Sequence, residues 1–91
     1  MKPFSQTSLE KLAAEVGSLL LSNGQRLATA ESCTGGWAAQ CLTSIAGSSE
    51  WFDRGFITYS NQAKHEMLGV ENGTLEQQGA VSEAVAAAMA T

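Results

Sequence analysis

The chain of 91 residues is poor in metal-ligating side chains, in cations and in long apolar runs. Its two cysteines, Cys33 and Cys41, stand eight positions apart, and His65 is the only histidine. This is neither a zinc pattern nor a disulfide framework. On a helix the two thiols would lie more than two turns apart, beyond bridging distance. Reduced thiols point to a cytoplasmic protein. Five lysines and arginines face nine aspartates and glutamates, giving a net charge of −4. The cations are scattered and form no patch, which argues against a nucleic-acid backbone as the main partner. An anionic small molecule stays open, because one helix N-terminus can hold a phosphate without a basic surface. No apolar run is long enough to span a bilayer, so no membrane partner is expected. The opening "MKPFSQTSLEK" lacks the apolar segment of a secretory signal. Repeats, low-complexity tracts and linkers are also missing.

What is present suits one small folded domain. Hydrophobic residues make up 44% of the chain, close to the globular average. "TSLEKLAAEVGSLLLSNG" predicts an amphipathic helix, with Leu9, Leu12, Ala13, Val16, Leu19 and Leu20 at helical spacing. Thr7 and Glu10 fit a capping box at its start, and Asn23-Gly24 a left-handed stop. "RLATAES" is a strand candidate. A second helix is expected from Thr34 or Gly35, with Trp37, Ala38, Cys41, Leu42 and Ile45 as its apolar stripe and Gly47 as its end. "FDRGFITYS", rich in β-branched and aromatic residues, predicts a second strand. Ser60 can cap a short helix, "NQAKHEMLG", closed by Gly69. Thr74 and Gln77 suggest a brief capped turn, and Ser82 with Glu83 starts a last helix. Strands alternating with helices imply parallel pairing and an α/β layered fold. Two parallel strands make a poor sheet alone, and the last helix reaches Thr91 without a stop, so the pattern reads as part of a larger domain.

Chemistry concentrates at two places. In "TAESCTGGWAAQ", Glu31, Ser32, Cys33 and Thr34 crowd a strand-to-helix turn just before Gly35 and Gly36. Glycines there allow a ligand close to the backbone, and the N–H groups of a first helical turn can cradle an oxyanion or a phosphate. The plainer alternative is an ordinary turn with Ser32 or Thr34 as N-cap. In "TYSNQAK", Tyr59 ends the second strand and Lys64 falls in the first turn of the next helix. The helix dipole disfavours a cation at that end, and a neutral amine is what a general base requires. Parallel strands would bring both clusters to the same carboxyl edge, where open α/β sheets bind ligands. Ser32 as nucleophile, Lys64 as base and the Tyr59 hydroxyl nearby form a workable acyl-transfer set. A solvated lysine and a core-edge tyrosine are the bland alternative. Cys33 is a rival nucleophile without a histidine partner. His65 reads as a surface residue. Glu31 can anchor the turn or a substrate hydroxyl. In "AGSSEWF", Ser48 and Ser49 can cap or touch ligand, while Trp51 and Phe52 read as packing.

"TAESCTGG", "IAGSSEWFDRGFITYSNQAK" and "LGV…L…GAVSE", in this order, resemble the CinA C-terminal domain family. The resemblance runs from about Val16 to about Met89 and implies a three-layer α/β/α fold with a largely parallel sheet. It implies hydrolysis of the carboxamide of nicotinamide mononucleotide to nicotinic acid mononucleotide and ammonia, a step of pyridine-nucleotide salvage, with no metal or organic cofactor. Ser32 then matches the family's nucleophile, and Lys64 and Tyr59 its lysine and tyrosine. Thr34, Gly35, Gly36, Glu31, Ser48 and Asn61 become substrate-contact candidates, with Thr58 as a further one. Residues 1–91 are expected to form the N-terminal part of one such domain, with no second domain, and to act as a homo-oligomer on a small nucleotide. The rival expectation is a non-catalytic nucleotide-binding module or an inactive fragment.

Overall fold

The structure, a computed structural model, describes residues 5–91. Met1–Phe4, which open the stretch read as lacking a signal, lie outside the described residues. The elements are α1 (Gln6–Ser22), β1 (Leu27–Glu31), α2 (Trp37–Thr43), a 3-10 turn (Ser48–Glu50), β2 (Phe52–Ile57), α3 (Asn61–Leu68), α4 (Asn72–Gln78) and α5 (Glu83–Ala90). β1 and β2 pair in a two-stranded sheet. Leu27 N–H donates to Trp51 O at the strand starts and Thr58 N–H to Glu31 O at the strand ends, so the strands are parallel. The fold is α/β, as the alternation of elements predicts. Among the described residues no helix is long and apolar enough to cross a membrane. The chain divides into two compact units: residues up to Thr29 with Gly36–Gly55, and Ala30–Gly35 with Phe56–Thr91.

In the first unit α1 starts two residues earlier than the predicted capping box. Ser5 is the N-cap, its Oγ accepting from Ser8 N–H at 3.2 Å. Thr7 is therefore already helical. Glu10 accepts from Gln6 Nε2 at 2.8 Å, an i,i+4 pair, and does not close a box. Ser5 is held by more than the capping bond, for its Oγ also donates to Ser8 Oγ at 2.9 Å and Ser8 Oγ donates to Ser5 O at 3.0 Å. Gln6 also ties α1 to α2, accepting from Trp37 Nε1 and donating to Gln40 Oε1, each at 2.8 Å. Gly17 is buried against Trp51, and a Cβ there would stand 2.5 Å from two indole carbons. The missing side chain is what leaves room for the ring of Trp51, a residue 3% exposed. The helix stops as expected, with Gly24 left-handed at φ 63°. Arg26 reaches across to donate to the carbonyls of Ser49, Glu50 and Phe52.

α2 is shorter than predicted at both ends. Cys33, Gly35 and Gly36 have φ of 74°, 70° and 103°, so no right-handed helix can begin before Trp37. At the far end Thr43 Oγ1 and Ser44 Oγ donate to Ala39 O and Cys41 O at 2.8 and 2.7 Å and close the helix. Gly47, at φ 80°, caps the 3-10 turn and does not end α2. Cys41 is buried, while Trp37 of the expected stripe is 41% exposed and held by its indole N–H.

The second unit carries its own small core: Val70, Leu75 and Val85, each at most 4% exposed, with Leu68, Ala88 and Met89 packed on them. Full burial of one such side chain contributes roughly 2 kcal/mol. α3 begins and ends as read. Ser60 Oγ accepts from Ala63 N–H at 3.0 Å, and Gly69 is left-handed at φ 71°. Val70 N–H then donates to Lys64 O beyond the left-handed Gly69, and Val70 enters the core. The brief turn expected at Thr74 is α4, with Glu71 as N-cap and no side-chain capping bond. Glu71 O accepts from both Thr74 and Leu75 N–H, so the backbone alone starts the helix and Thr74 falls inside it. Ser82 caps α5 as predicted, accepting from Val85 N–H at 3.2 Å.

Candidate active site

Most of the candidate residues belong to the second unit, which holds both strand ends. Glu31 is the last residue of β1. Its carbonyl accepts from Thr58 N–H at 2.8 Å and from Thr58 Oγ1 at 3.0 Å. Thr58, one residue past β2, is 1% exposed. This double bond fixes where the two strands end. Ser32 follows directly on one side and Tyr59 on the other, so the carboxyl edge expected from parallel pairing is built here.

Beyond Glu31 the backbone turns sharply. Cys33 is the one non-glycine residue with positive φ among the described residues. An L residue held left-handed stores about 1 kcal/mol, and such strain gathers at functional turns. The turn is braced by Thr34 Oγ1, which donates to Glu31 Oε1 at 3.0 Å. Glu31 thus anchors the turn, one of the two parts considered for it. Ser32 is half-buried, and its Oγ lies 3.7 Å from Cys33 Sγ, a weak contact. Cys33 is exposed and Cys41 buried, and both thiols are free. Gly35 needs its left-handed φ of 70° but not space, since a Cβ there would meet nothing within 4 Å. The start of α2 at Trp37 assigns the amides of Thr34 and Gly35 to the turn rather than to a helix terminus.

Lys64 is the fourth residue of α3 and only 4% exposed. Among the described residues its ammonium has no carboxylate or hydroxyl partner, for the ion pairs formed are those of Arg26 and Arg54 with Asp53. Lysine is seldom buried to this degree unless paired. Tyr59 is the opposite case. It is 78% exposed, and its hydroxyl has no hydrogen bond among the described residues. No hydrogen bond links Ser32, Tyr59 and Lys64 to one another among the described residues. Asn61, first residue of α3, is exposed. His65 is exposed too, with Nδ1 2.8 Å from Val70 O.

Gly36 and Ser48 fall in the first unit. Gly36 is buried and left-handed at the start of α2. Ser48 opens the 3-10 turn and donates to Thr43 O at 3.4 Å, a local bond. Thr58 is the residue whose part the sequence conceals. It was a ligand-contact candidate, but it is buried and both its donors go to Glu31 O. A threonine at the end of a β-branched run looks like any strand residue.

The chain is thus an α/β fold with a Ser-Cys-Thr-Gly-Gly turn at one strand end and a buried lysine after the next. The model of the CinA C-terminal domain matches residues 9–91, and the chain belongs to that family. It is 58% identical over 86 residues to the nicotinamide-nucleotide amidohydrolase PncC of Enterobacter agglomerans, covering 94% of this chain and 52% of that protein. The PncC of Escherichia coli K12 is 55% identical over the same length and coverage. Among solved structures, the competence/damage inducible protein CihA of Agrobacterium tumefaciens superposes with a TM-score of 0.88 at 51% identity, over 90% of this chain and 50% of that one. A CinA superfamily protein of Escherichia coli gives 0.88 at 39% identity, over 94% of this chain and 51% of that one. The chain therefore spans about half the length of the curated amidohydrolases it matches.

Proposed function

We propose that this chain carries the nucleophile and base of an amidohydrolase that converts nicotinamide mononucleotide to nicotinic acid mononucleotide and ammonia. The observation that carries the reading is Lys64: a lysine 4% exposed, without an anionic partner among the described residues, in the same compact unit as Ser32. Packing alone gives little reason for it, since lysine is seldom buried to this degree unless paired. A role as the catalytic base gives one. The name of the relatives, nicotinamide-nucleotide amidohydrolase, supplies the substrate.

In the proposed sequence the neutral Lys64 amine takes the Ser32 hydroxyl proton, directly or through the Tyr59 hydroxyl. Ser32 Oγ bonds to the carboxamide carbon, whose electrophilicity the pyridinium ring raises. The carbon–nitrogen bond of the tetrahedral intermediate breaks as Lys64 returns the proton, and ammonia leaves. Water then attacks the ester, gives its proton to Lys64, and Ser32 recovers its hydrogen as the acid departs. The amides of Thr34 and Gly35 hold the oxyanion or the substrate phosphate, and Glu31 and Asn61 border the nucleotide. The mechanism needs no part from Ser48 and no metal or organic cofactor. Tyr59 must gain its contacts when substrate covers it.

A nucleotide-binding module without catalysis is the alternative, favoured by the half-length coverage of the relatives. The test is incubation of the intact protein with nicotinamide mononucleotide, following ammonia and the acid product. Stoichiometric release of both supports the proposal. Saturable binding with no ammonia would replace it with the alternative.

A further inference from the structure

The Glu31 carbonyl accepts two hydrogen bonds from one residue, Thr58 N–H and Thr58 Oγ1, at 2.8 and 3.0 Å. Strand pairing needs only the first of these. The second uses the hydroxyl of a side chain 1% exposed, which has no water to turn to instead. Because a peptide unit is planar, fixing the Glu31 C=O also fixes the Ser32 N–H and the direction of its N–Cα bond. Ser32 Oγ has little of its own to hold it, its side-chain neighbour being Cys33 Sγ at 3.7 Å. The place of that hydroxyl is therefore set through the backbone.

We propose that Thr58 is a positioning residue for amide hydrolysis. Its hydroxyl holds the Glu31–Ser32 peptide in the orientation that presents Ser32 Oγ to the carboxamide carbon. The inference rests on the reading of Ser32 as nucleophile. Thr58 does not touch substrate, so it acts on the attack step and not on binding.

The experiment compares Thr58→Val, Thr58→Ser and Ser32→Ala in the intact protein, measuring steady-state ammonia release and thermal melting. Thr58→Val keeps the N–H and the branched shape and removes the hydroxyl. Misplacement of a reacting group on this scale lowers kcat roughly 10- to 100-fold, with KM within about 3-fold. Thr58→Ser should restore kcat. A merely structural threonine would lower the melting temperature and leave kcat per folded molecule unchanged, and that result overturns the proposal. So does a serine variant as slow as the valine one. If Thr58→Val does not melt cooperatively, Thr58→Cys, with a weaker donor, is read in its place, and wild-type kcat there overturns the proposal. Ser32→Ala separates the layers. If it is inactive while Thr58→Val is normal, only the role of Thr58 falls. If it turns over normally, the nucleophile assignment falls and takes this inference with it.

Discussion

Lys64 and Tyr59 differ in what their surroundings ask of them. Lys64 is buried at the start of α3, whereas Tyr59 lies open to solvent. A base must lose its proton, and arginine stays protonated at any working pH. Lys64→Arg should therefore lose turnover as deeply as Lys64→Met, on the order of 100-fold or more for removal of a general base. Steady-state ammonia release on both variants checks this, and a normal rate in the arginine variant would mean that position 64 needs only charge. Much of this site was legible in the sequence. Polar residues crowded before two glycines, and a lysine where a helix dipole disfavours it, are local patterns. Thr58 was not legible as a clamp, because its bonds go to Glu31, 27 positions away. The left-handed Cys33 was hidden too, since nothing in a cysteine marks positive φ.

Elements follow local rules where one residue decides, and depart from them where neighbours compete. Ser60, Gly69 and Ser82 do what their types favour, and α3 and α5 begin or end where the sequence indicates. α1 and α2 shift because several hydroxyls or several glycines stood close together, and chain context chose Ser5 over Thr7 and Trp37 over Thr34. Gly17 shows a longer-range choice. It interrupts a good helical pattern, and only the Trp51 indole explains it. Alanine would raise helix propensity by about 1 kcal/mol. Its Cβ would also meet the indole at 2.5 Å, and such overpacking destabilises by about 1–3 kcal/mol. The clash involves a rigid ring, so it should win. Gly17→Ala is expected to lower the urea midpoint in the intact protein, with altered Trp51 fluorescence. An unchanged or higher midpoint would mean that the ring is free to move aside.

For the molecule as a whole, the α/β class was readable because alternating strands and helices leave few topologies. The division into two compact units was not, since both strands run from one unit into the other and no linker marks the boundary. The central claim is that an intact protein with this chain cleaves the amide of nicotinamide mononucleotide through Ser32. The most direct measurement is ammonia release by Ser32→Ala beside Cys33→Ala, with both variants verified as folded. Loss of a nucleophile should reduce kcat by on the order of 10³-fold or more, while loss of the neighbouring thiol should change it less than about 10-fold. Substantial turnover by a folded Ser32→Ala protein, with activity lost instead in Cys33→Ala, would contradict the account and transfer the chemistry to the thiol.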